Sequence, residues 1–336
     1  MNDTLVDTRR TFLKKLGQGT AFSAVTFSIP FHSAARSSKK EKPTDEIFKI
    51  GIIGAENSHT AAFGKLFNIE KQFPGMEVKY VWGETNEFAK KAMEDGQIPF
   101  QVKNPNDMLG KIDGLIVDHR HGKFHLEPAI PFIKAGIPTF IDKPFCYRAK
   151  EGKAFLDLAK KHGTPVTSFS SIAHSYETFA IRERLASMGE INQVVRYGPV
   201  DLESKYGGIF FYGAHIVQPL LYLFGDNVEK VQVHHNGQNS SASLVFNNGM
   251  LATLVFTTKK YGWQTFVETD EGIVALKSDI EEKRPGKNDV DMVQMLRTGE
   301  EPRSHESILH GVAVLEALEK SVSSGKWENV VPNDQI

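Results

Sequence analysis

The chain has 336 residues, of which 40% are hydrophobic and 24% are charged, a composition typical of a folded protein with a full core. Its 40 Lys and Arg residues nearly balance its 41 Asp and Glu residues, which gives no reason to expect nucleic acid or an anionic membrane as a partner. The single cysteine, Cys146, excludes an intramolecular disulfide and a cysteine-based zinc site. These bulk properties favour a small-molecule ligand.

Residues 1–35 have the pattern of an export signal. Arg9 and Arg10 are followed by a mildly apolar stretch and then by small residues. This order is typical of a signal peptide, and the paired arginines resemble the twin-arginine type. A disordered basic tail is the alternative. We expect export, to the periplasm or beyond, by the twin-arginine route, with residues 36–46 as a linker and no membrane association after signal removal.

From residue 47 to residue 170, short apolar runs alternate with helix-like segments. The predicted strands are 48–54, 78–82, 114–117, 139–142 and 165–169. The helices predicted between them are 59–72, 87–94, 126–135 and 150–162. Strands that alternate with helices of this length indicate a parallel sheet with right-handed crossovers. We therefore predict an α/β, doubly wound, Rossmann-like domain over residues 47–170.

Residues 171–336 have a different pattern, with more strands than helices. The predicted helices are 176–188, 215–224 and 304–323. The predicted strands are 193–197, 228–234, 241–246, 250–257, 264–268 and 272–276. Asn247, Asn248 and Gly249 between two of these strands are a strong hairpin signal. We predict an α+β substrate domain with a largely antiparallel open sheet.

The first strand ends in the turn Gly54-Ala55-Glu56-Asn57-Ser58, where an α/β domain would bind the pyrophosphate of a dinucleotide. Only Gly54 matches the usual G-x-G-x-x-G pattern, and the Glu56 carboxylate could repel a pyrophosphate. Asn57 and Ser58 are good helix-capping residues that could face an anion. Gly54, Ala55, Asn57 and Ser58 are therefore candidate cofactor-binding residues, and a purely structural turn is the alternative.

The second strand normally ends in an acidic residue that binds the adenosine ribose. Here Gly83 and then Glu84 follow the strand. If Glu84 reaches the ribose, NAD is favoured. If Gly83 holds the acidic position instead, nothing there repels a 2′-phosphate, so NADP is accommodated as well.

The third predicted strand is followed by Asp118, His119, His121 and His125. Three histidines in seven residues suggest a metal, but no further Cys, His or carboxylate cluster completes a ligand set, so we predict none. Open α/β sheets bind ligands beyond the carboxyl ends of their strands. Asp118, His119 and His125 are therefore predicted to line the cofactor and substrate.

The fourth predicted strand ends in Asp142, Lys143 and Pro144. A lysine in this crevice can hydrogen-bond a substrate hydroxyl or carbonyl, and a following proline stiffens the turn that aims it. A surface lysine that follows a strand is the alternative. On this pattern alone the surface lysine would be preferred, so Lys143 is only a candidate catalytic residue at this point, and Asp142 is a candidate cofactor-binding residue.

Several features occur in an order that resembles the Gfo/Idh/MocA family of oxidoreductases over essentially all of the chain after the signal. They are the first strand Ile50-Gly51-Ile52-Ile53-Gly54, the His125 loop, Asp142-Lys143-Pro144, Gly207-Gly208 before the His215 helix, Ser304-His305-Glu306, and Ser321–Gly325. The resemblance assigns catalytic roles to Lys143 and His215. It implies NAD or NADP, hydride transfer with a sugar, inositol or related polyol, and an open sheet that mediates homo-oligomers.

The sequence departs from the family pattern at three positions. Phe211 stands where the family often has an Asp four residues before the histidine. Proton transfer would then rest on Lys143, His215 and the neighbouring Tyr212. Glu56 in the glycine turn is the second departure, and Asp142 in place of Glu is the third and conservative.

Two other functions are compatible with the same features. Some relatives oxidise a sugar transiently so that a glycosidic bond can be eliminated and hydrolysed, with no net change in the cofactor. A non-catalytic carbohydrate-binding protein is the third possibility, with Glu56 and Phe211 as marks of lost chemistry.

Overall fold

The structure is a computed structural model that describes residues 46–259, 261–281 and 283–336. The predicted signal peptide, residues 1–35, and all but the last residue of the predicted linker lie outside the described residues. None of the helices in the described ranges is long and apolar enough to cross a membrane.

The N-terminal half is built on a six-stranded parallel sheet. Its strands are β1 (Phe48–Ile53), β2 (Met76–Trp82), β3 (Phe100–Gln101), β4 (Gly114–Val117), β5 (Thr139–Ile141) and β6 (Val166–Thr167). The order β3-β2-β1-β4-β5-β6 reverses between β1 and β4, so a crevice opens at the carboxyl ends of those two strands. The predicted Rossmann-like domain is confirmed. The short strand β3 was not predicted, because two exposed residues have no detectable period.

Four helices flank this sheet, and three of them begin or end at an identifiable capping residue. They are α1 (Ser58–Gly64), α2 (Asn86–Gly96), α3 (Ile130–Lys134) and α4 (Ala149–His162). Asn57 caps α1 through the amide of His59, and Thr85 caps α2 through the amide of Phe88. The chain continues from α1 into a π-helical turn, Lys65–Ile69. Gly163, with φ of +62°, ends α4.

The C-terminal half carries a seven-stranded sheet of order β12-β11-β7-β10-β9-β8-β13. Its strands are β7 (Gln193–Pro199), β8 (Val228–Asn236), β9 (Asn239–Phe246), β10 (Leu251–Thr257), β11 (Gln264–Thr269), β12 (Gly272–Leu276) and β13 (Glu328–Asn329). Only β7 and β10 run parallel, and the predicted hairpin joins β9 to β10. The predicted largely antiparallel sheet is confirmed.

Helices α5 (Tyr176–Leu185), α6 (Ile209–Phe224), α7 (Lys287–Thr298) and α8 (His305–Ser324) complete the described chain. Helix α6 begins six residues before the predicted start at His215, because its first turns are apolar or aromatic and show no amphipathic period. Helix α7 was not predicted. Its Met292, Met295 and Leu296 pack in one hydrophobic cluster with Ile50 of β1, so this segment of the C-terminal half covers the first sheet.

Helices α6 and α8 pack on the same side of the second sheet, where α6 contacts β7 and α8 contacts β8. Along β7 the buried residues alternate, so Val194, Arg196 and Gly198 face these helices. Tyr197 of β7 and Leu251 of β10 face the opposite side and are exposed. This packing brings the His215 side of α6 next to β7 and to the crevice of the first sheet.

Candidate active site

Gly54 ends β1 at the base of the crevice. Its φ is +113°, and a Cβ added there would lie 2.6 Å from the carbonyl carbon of Asp118. Any other residue would place a Cβ against this carbonyl and would rarely adopt so positive a φ, so the position requires glycine. The close approach, together with the 2.7 Å hydrogen bond from Asp118 N to Ile53 O, joins the loops that follow β1 and β4.

A buried polar network fills the space between these loops. The Asn57 amide donates to Asp118 Oδ1 at 2.6 Å and to Asp142 Oδ2 at 3.2 Å. The Thr60 hydroxyl donates to Asp118 Oδ2 at 2.7 Å, and His59 Nδ1 lies 3.0 Å from Asp142 Oδ2. The ends of β1, β4 and β5 are therefore tied together through side chains.

The two buried carboxyls in this network do not ionise alike. Burial, and then the charge of Asp142, raise the pKa of Asp118 well above its usual value. Burial alone would raise the pKa of Asp142 too, but His59 and then Lys143 outweigh it and lower that pKa. Ligand atoms of His59, Asp118 and Asp142 lie within 4.8 Å of one another, a spacing that suits a cation. Because the Asn57 amide already donates to both carboxyls, we assign no metal to them.

Glu84 reaches back from the end of β2 to the glycine turn. One of its oxygens, Oε2, accepts hydrogen bonds from the amides of Ala55 and Glu56, each at 2.9 Å. The other, Oε1, lies 2.8 Å from Nδ1 of His119. Burial would raise the pKa of Glu84, but the hydrogen bonds from His119 and from backbone amides outweigh it and lower the pKa to about 2.

The Glu56 carboxylate is turned toward the C-terminal half. It accepts a hydrogen bond of 2.5 Å from the hydroxyl of Tyr206, which also accepts one of 3.2 Å from Arg120. The Arg120 guanidinium lies 4.6 Å from the centroid of the Tyr206 ring. Tyr206 and Arg120 thus hold the carboxylate that seemed to oppose a pyrophosphate in the sequence.

The turn retains the groups that a dinucleotide needs. Within the described residues, the backbone amides of Asn57 and Ser58 at the start of α1 have no hydrogen-bond acceptor, so they are open to an anion. A carboxylate offers about four lone-pair positions, so Glu84 can still accept ribose hydroxyls beside its present donors. The residues present therefore fit a dinucleotide with an unmodified ribose.

The depressed pKa of Glu84 predicts a specific pH dependence of stability. Because the pKa is lower in the folded chain, the stabilisation is complete above about 4.5 and is lost as the pH falls through about 2. We expect Glu84→Gln to lower the free energy of unfolding by about 2–3 kcal/mol at neutral pH, and the gap to wild type to shrink to less than half of that near about pH 3. Urea unfolding of both proteins at the two pH values measures this gap.

The matched control for this experiment is Glu94→Gln, on the exposed side of α2. It should change the free energy of unfolding little at either pH. A Glu84→Gln deficit that is the same at both pH values would show that the carboxylate charge does not stabilise the turn.

Lys143 follows β5 and is buried at the crevice, with 6% of its surface exposed. Its ammonium lies 5.4 Å from the ring centroid of Phe211 and 5.7 Å from that of Tyr212, both on α6. The Tyr212 ring lies 5.7 Å from the His215 ring. Lys143, Tyr212 and His215, the three predicted catalytic residues, therefore lie together where the two halves meet.

His215 is buried, and its Nδ1 lies 2.7 Å from the hydroxyl oxygen of Ser170. Burial, and then the charge of Lys143, lower the pKa of His215 well below its usual value. The ring is therefore neutral at neutral pH. When Nδ1 carries the proton and donates to Ser170, Nε2 is left as a base.

His119 and His125, both predicted to line the cofactor, are buried in the structure and have different partners. His119 binds Glu84, whereas His125 is fully buried behind the loop with Nδ1 2.8 Å from Pro144 O and Nε2 2.7 Å from His119 O. Burial lowers the pKa of His125 to about 4. His121 accepts from the amide of Lys123. These rings have separate partners, and His125 supports the loop.

Sequence reasoning missed several residues of the site. They are His59, Thr60, Arg120, Ser170 and Tyr206. Ser170 follows strand β6 and had the same strand-end signal as Lys143. Tyr206 and Arg120 come together only through the contact between the two halves, which no local pattern reveals.

Comparison with known proteins places this geometry in a known fold. Residues 48–169 match the model of the Gfo/Idh/MocA family, described as an oxidoreductase family with an NAD-binding Rossmann fold. No curated protein matches the chain.

Solved structures resemble nearly the whole described chain. GenD2 from gentamicin A biosynthesis, in complex with NAD, superimposes with a TM-score of 0.71 at 13% identity, covering 85% of this chain and 97% of its own. A myo-inositol dehydrogenase from Lactobacillus casei, with NAD(H) and myo-inositol, has a TM-score of 0.70 at 14% identity, with coverage of 85% and 97%. A scyllo-inositol dehydrogenase from the same organism, with NAD(H) and scyllo-inositol, has a TM-score of 0.70 at 13% identity, with coverage of 85% and 99%. The chain therefore has the NAD-binding Rossmann fold of the Gfo/Idh/MocA oxidoreductases, joined to the mostly antiparallel second sheet of these structures.

Proposed function

We propose that the protein is an NAD-dependent oxidoreductase that transfers hydride between the cofactor and a CH–OH group of a sugar, inositol or related polyol. The observation that carries the proposal is the position of Lys143 beside Tyr212 and His215, at the strand ends next to a turn with open backbone amides. The family match over residues 48–169 supports the oxidoreductase class.

In this proposal the nicotinamide supplies the hydride acceptor, and the chain supplies the remaining groups. The Lys143 ammonium donates a hydrogen bond to the reacting oxygen and stabilises its negative charge as the proton leaves. Neutral His215 accepts that proton on Nε2, while Ser170 holds the ring through Nδ1. The amides of Asn57 and Ser58 bind the pyrophosphate, and the Glu84 carboxylate accepts from the ribose.

Glu84 favours NAD over NADP, because a carboxylate in that position repels a 2′-phosphate. Fluorescence titration of the full chain should show tighter binding of NAD than of NADP. Glu84→Gln should weaken NAD binding by about 10-fold or more and narrow the gap between the two cofactors. If neither NAD nor NADP binds at about millimolar concentration, the affinity is far too low for a working cofactor site, and the proposal is refuted.

Turnover is tested with a panel of inositols and sugars by following the absorbance of reduced nicotinamide. A substrate-dependent rise in that absorbance is the expected result. Cleavage of a glycoside without a net change in the absorbance would assign the site to elimination and hydrolysis instead. Binding of a sugar that neither requires NAD nor leads to turnover would indicate a binding protein.

We also propose that the protein is exported by the twin-arginine route and forms homo-oligomers. The pair Arg9-Arg10 with the apolar stretch after it supports export. The outward side of the second sheet, with Tyr197, Leu251 and Ile273 exposed, supports self-association. The balanced charge of the chain gives no support to a nucleic-acid partner.

A further inference from the structure

A cavity lies near the candidate active site, and one of its lining residues, Trp263, also contacts His215. Its volume is about 340 Å³, and its lining includes Arg196, Trp263 and Thr265 together with Ser171 and Ser175. Ser171 adjoins the serine that binds His215. The cavity therefore borders the chain segment that holds His215.

Arg196 carries a buried positive charge into this cavity. It lies on the inward side of β7, is 5% exposed, and donates one hydrogen bond of 2.6 Å to the hydroxyl of Thr265. Its Nε is buried with no hydrogen-bond acceptor. None of the ion pairs among the described residues includes Arg196. Burial lowers the pKa of Arg196 to about 10, against a smaller raising effect of Glu177, so the group stays charged at neutral pH. Buried guanidinium groups are normally paired, so this one lacks its anion.

Trp263 contributes a second unused donor. Its indole N–H is buried without an acceptor, and the ring centroid lies 5.8 Å from the Arg196 guanidinium carbon. The ring lies over Gly198, where a Cβ would come within 2.3 Å of it. Trp263 also contacts His215, with 5.8 Å between the ring centroids. Two unsatisfied donors therefore lie on neighbouring side chains, one of which contacts the proposed base.

The charge of Arg196, in the cavity, acts on His215 in the candidate active site. After burial and the charge of Lys143, the charge of Arg196 also lowers the pKa of His215, so Arg196 is close enough to act on the proposed base. The one carboxylate in the lining, Glu177, is exposed and therefore lies toward the mouth. Trp263 contacts both His215 and Arg196, so a single side chain links the unpaired guanidinium to the proposed base.

We propose that this cavity binds the carboxylate of an acidic sugar, a uronate or an aldonate, whose reacting hydroxyl lies at Lys143 and His215. The proposal rests on the proposed function, because it names the substrate class of that site. A carboxylate fits the planar fork of an arginine and can also accept from an indole N–H. A single unpaired cation matches its single charge, whereas a phosphate monoester carries between about 1.5 and 2 negative charges.

The test is calorimetric titration of the full chain with glucuronate, glucose and glucose 6-phosphate, with and without NAD. We expect glucuronate to bind about 10- to 100-fold more tightly than glucose, since each hydrogen bond to a charged group is worth that much. Arg196→Met should abolish the preference. The matched control, Arg297→Met, removes an exposed arginine of α7 and should leave the preference unchanged.

Three results would overturn the proposal: equal binding of glucuronate and glucose by wild type, a preference that survives Arg196→Met, or tighter binding of the sugar phosphate than of glucuronate. If Arg196→Met does not fold, Trp263→Phe keeps an aromatic ring at this position and removes the indole donor. It should then reduce the preference by about 3- to 10-fold, and an unchanged preference would count against the proposal.

The two proposals fail in different ways. Arg196-dependent binding of glucuronate without any nicotinamide reduction would leave the cavity assignment standing and refute the redox function. Oxidation of a neutral polyol with no preference for acidic sugars would support the redox function and refute the assignment of the cavity.

Discussion

Replacing Lys143 by Met is expected to reduce kcat by between about 10²- and 10³-fold, the range typical of a lost donor that stabilises a developing oxyanion. The methionine keeps the apolar stem that packs near Phe211 and Tyr212, but it removes the ammonium that donates to the reacting oxygen. The amides of Asn57 and Ser58 are untouched, so the dissociation constant for NAD should change little. Steady-state kinetics and cofactor titration of the same preparation separate the two effects.

The control for this variant is Lys134→Met, at the exposed end of α3. It should leave both kcat and cofactor binding unchanged. Because Lys143 is one of the charges that lower the pKa of Asp142, urea unfolding must show that Lys143→Met is folded. A folded Lys143→Met variant with wild-type kcat would remove Lys143 from the proposed mechanism.

The position of Lys143 was predictable because it follows a strand. In a parallel sheet the carboxyl ends of neighbouring strands meet at one edge, so Lys143 after β5 was placed near the turn after β1 by topology alone. His215 was assigned only through the resemblance, since a histidine on an apolar helix has no local signal. The structure brings it to Lys143 because α6 packs against β7 and presents its first turns to the crevice.

The partners of these residues could not be predicted in the same way. Glu84 lies 28 and 29 residues from the amides it accepts from, and the Glu56–Tyr206 hydrogen bond joins residues 150 apart. Such contacts depend on the packing of the two halves. The same holds for Arg196, which reads in the sequence as an ordinary polar residue in a strand although it is buried.

Phe211 and Glu56, two positions at which the sequence departs from the family pattern, lie in one connected set of contacts. Phe211, in the position of the missing carboxylate, stacks near Tyr206 with 4.9 Å between ring centroids and lies 5.4 Å from both Arg120 and Lys143. A carboxylate there would be held between two cations. With a phenyl ring instead, Arg120 is left to act on the Tyr206–Glu56 pair, so the two departures belong to one rearranged set of contacts.

Gly54→Ala is expected to be the most damaging small substitution in the N-terminal half. A Cβ at this residue would lie 2.6 Å from the Asp118 carbonyl carbon and 2.8 Å from the His119 amide nitrogen, and backbone cannot move aside as a flexible side chain can. The positive φ of +113° adds strain of its own. We expect a loss of at least about 3 kcal/mol in the free energy of unfolding, measured by urea denaturation.

The control that isolates the contact is Gly136→Ala, in the turn before β5. Gly136 has a φ of +75°, but a Cβ there would meet nothing within 4 Å. The Gly136→Ala substitution should therefore lower the free energy of unfolding by about 1–2 kcal/mol, the cost of the left-handed backbone conformation alone. The additional loss in the free energy of unfolding at Gly54 then measures how closely the turns after β1 and β4 must approach each other. Equal losses in the two variants would mean that the crevice tolerates a wider gap, and cofactor binding by Gly54→Ala should then be retained. A larger loss at Gly54 should be accompanied by weaker cofactor binding, because the same displacement moves Asp118 and, through it, Asn57.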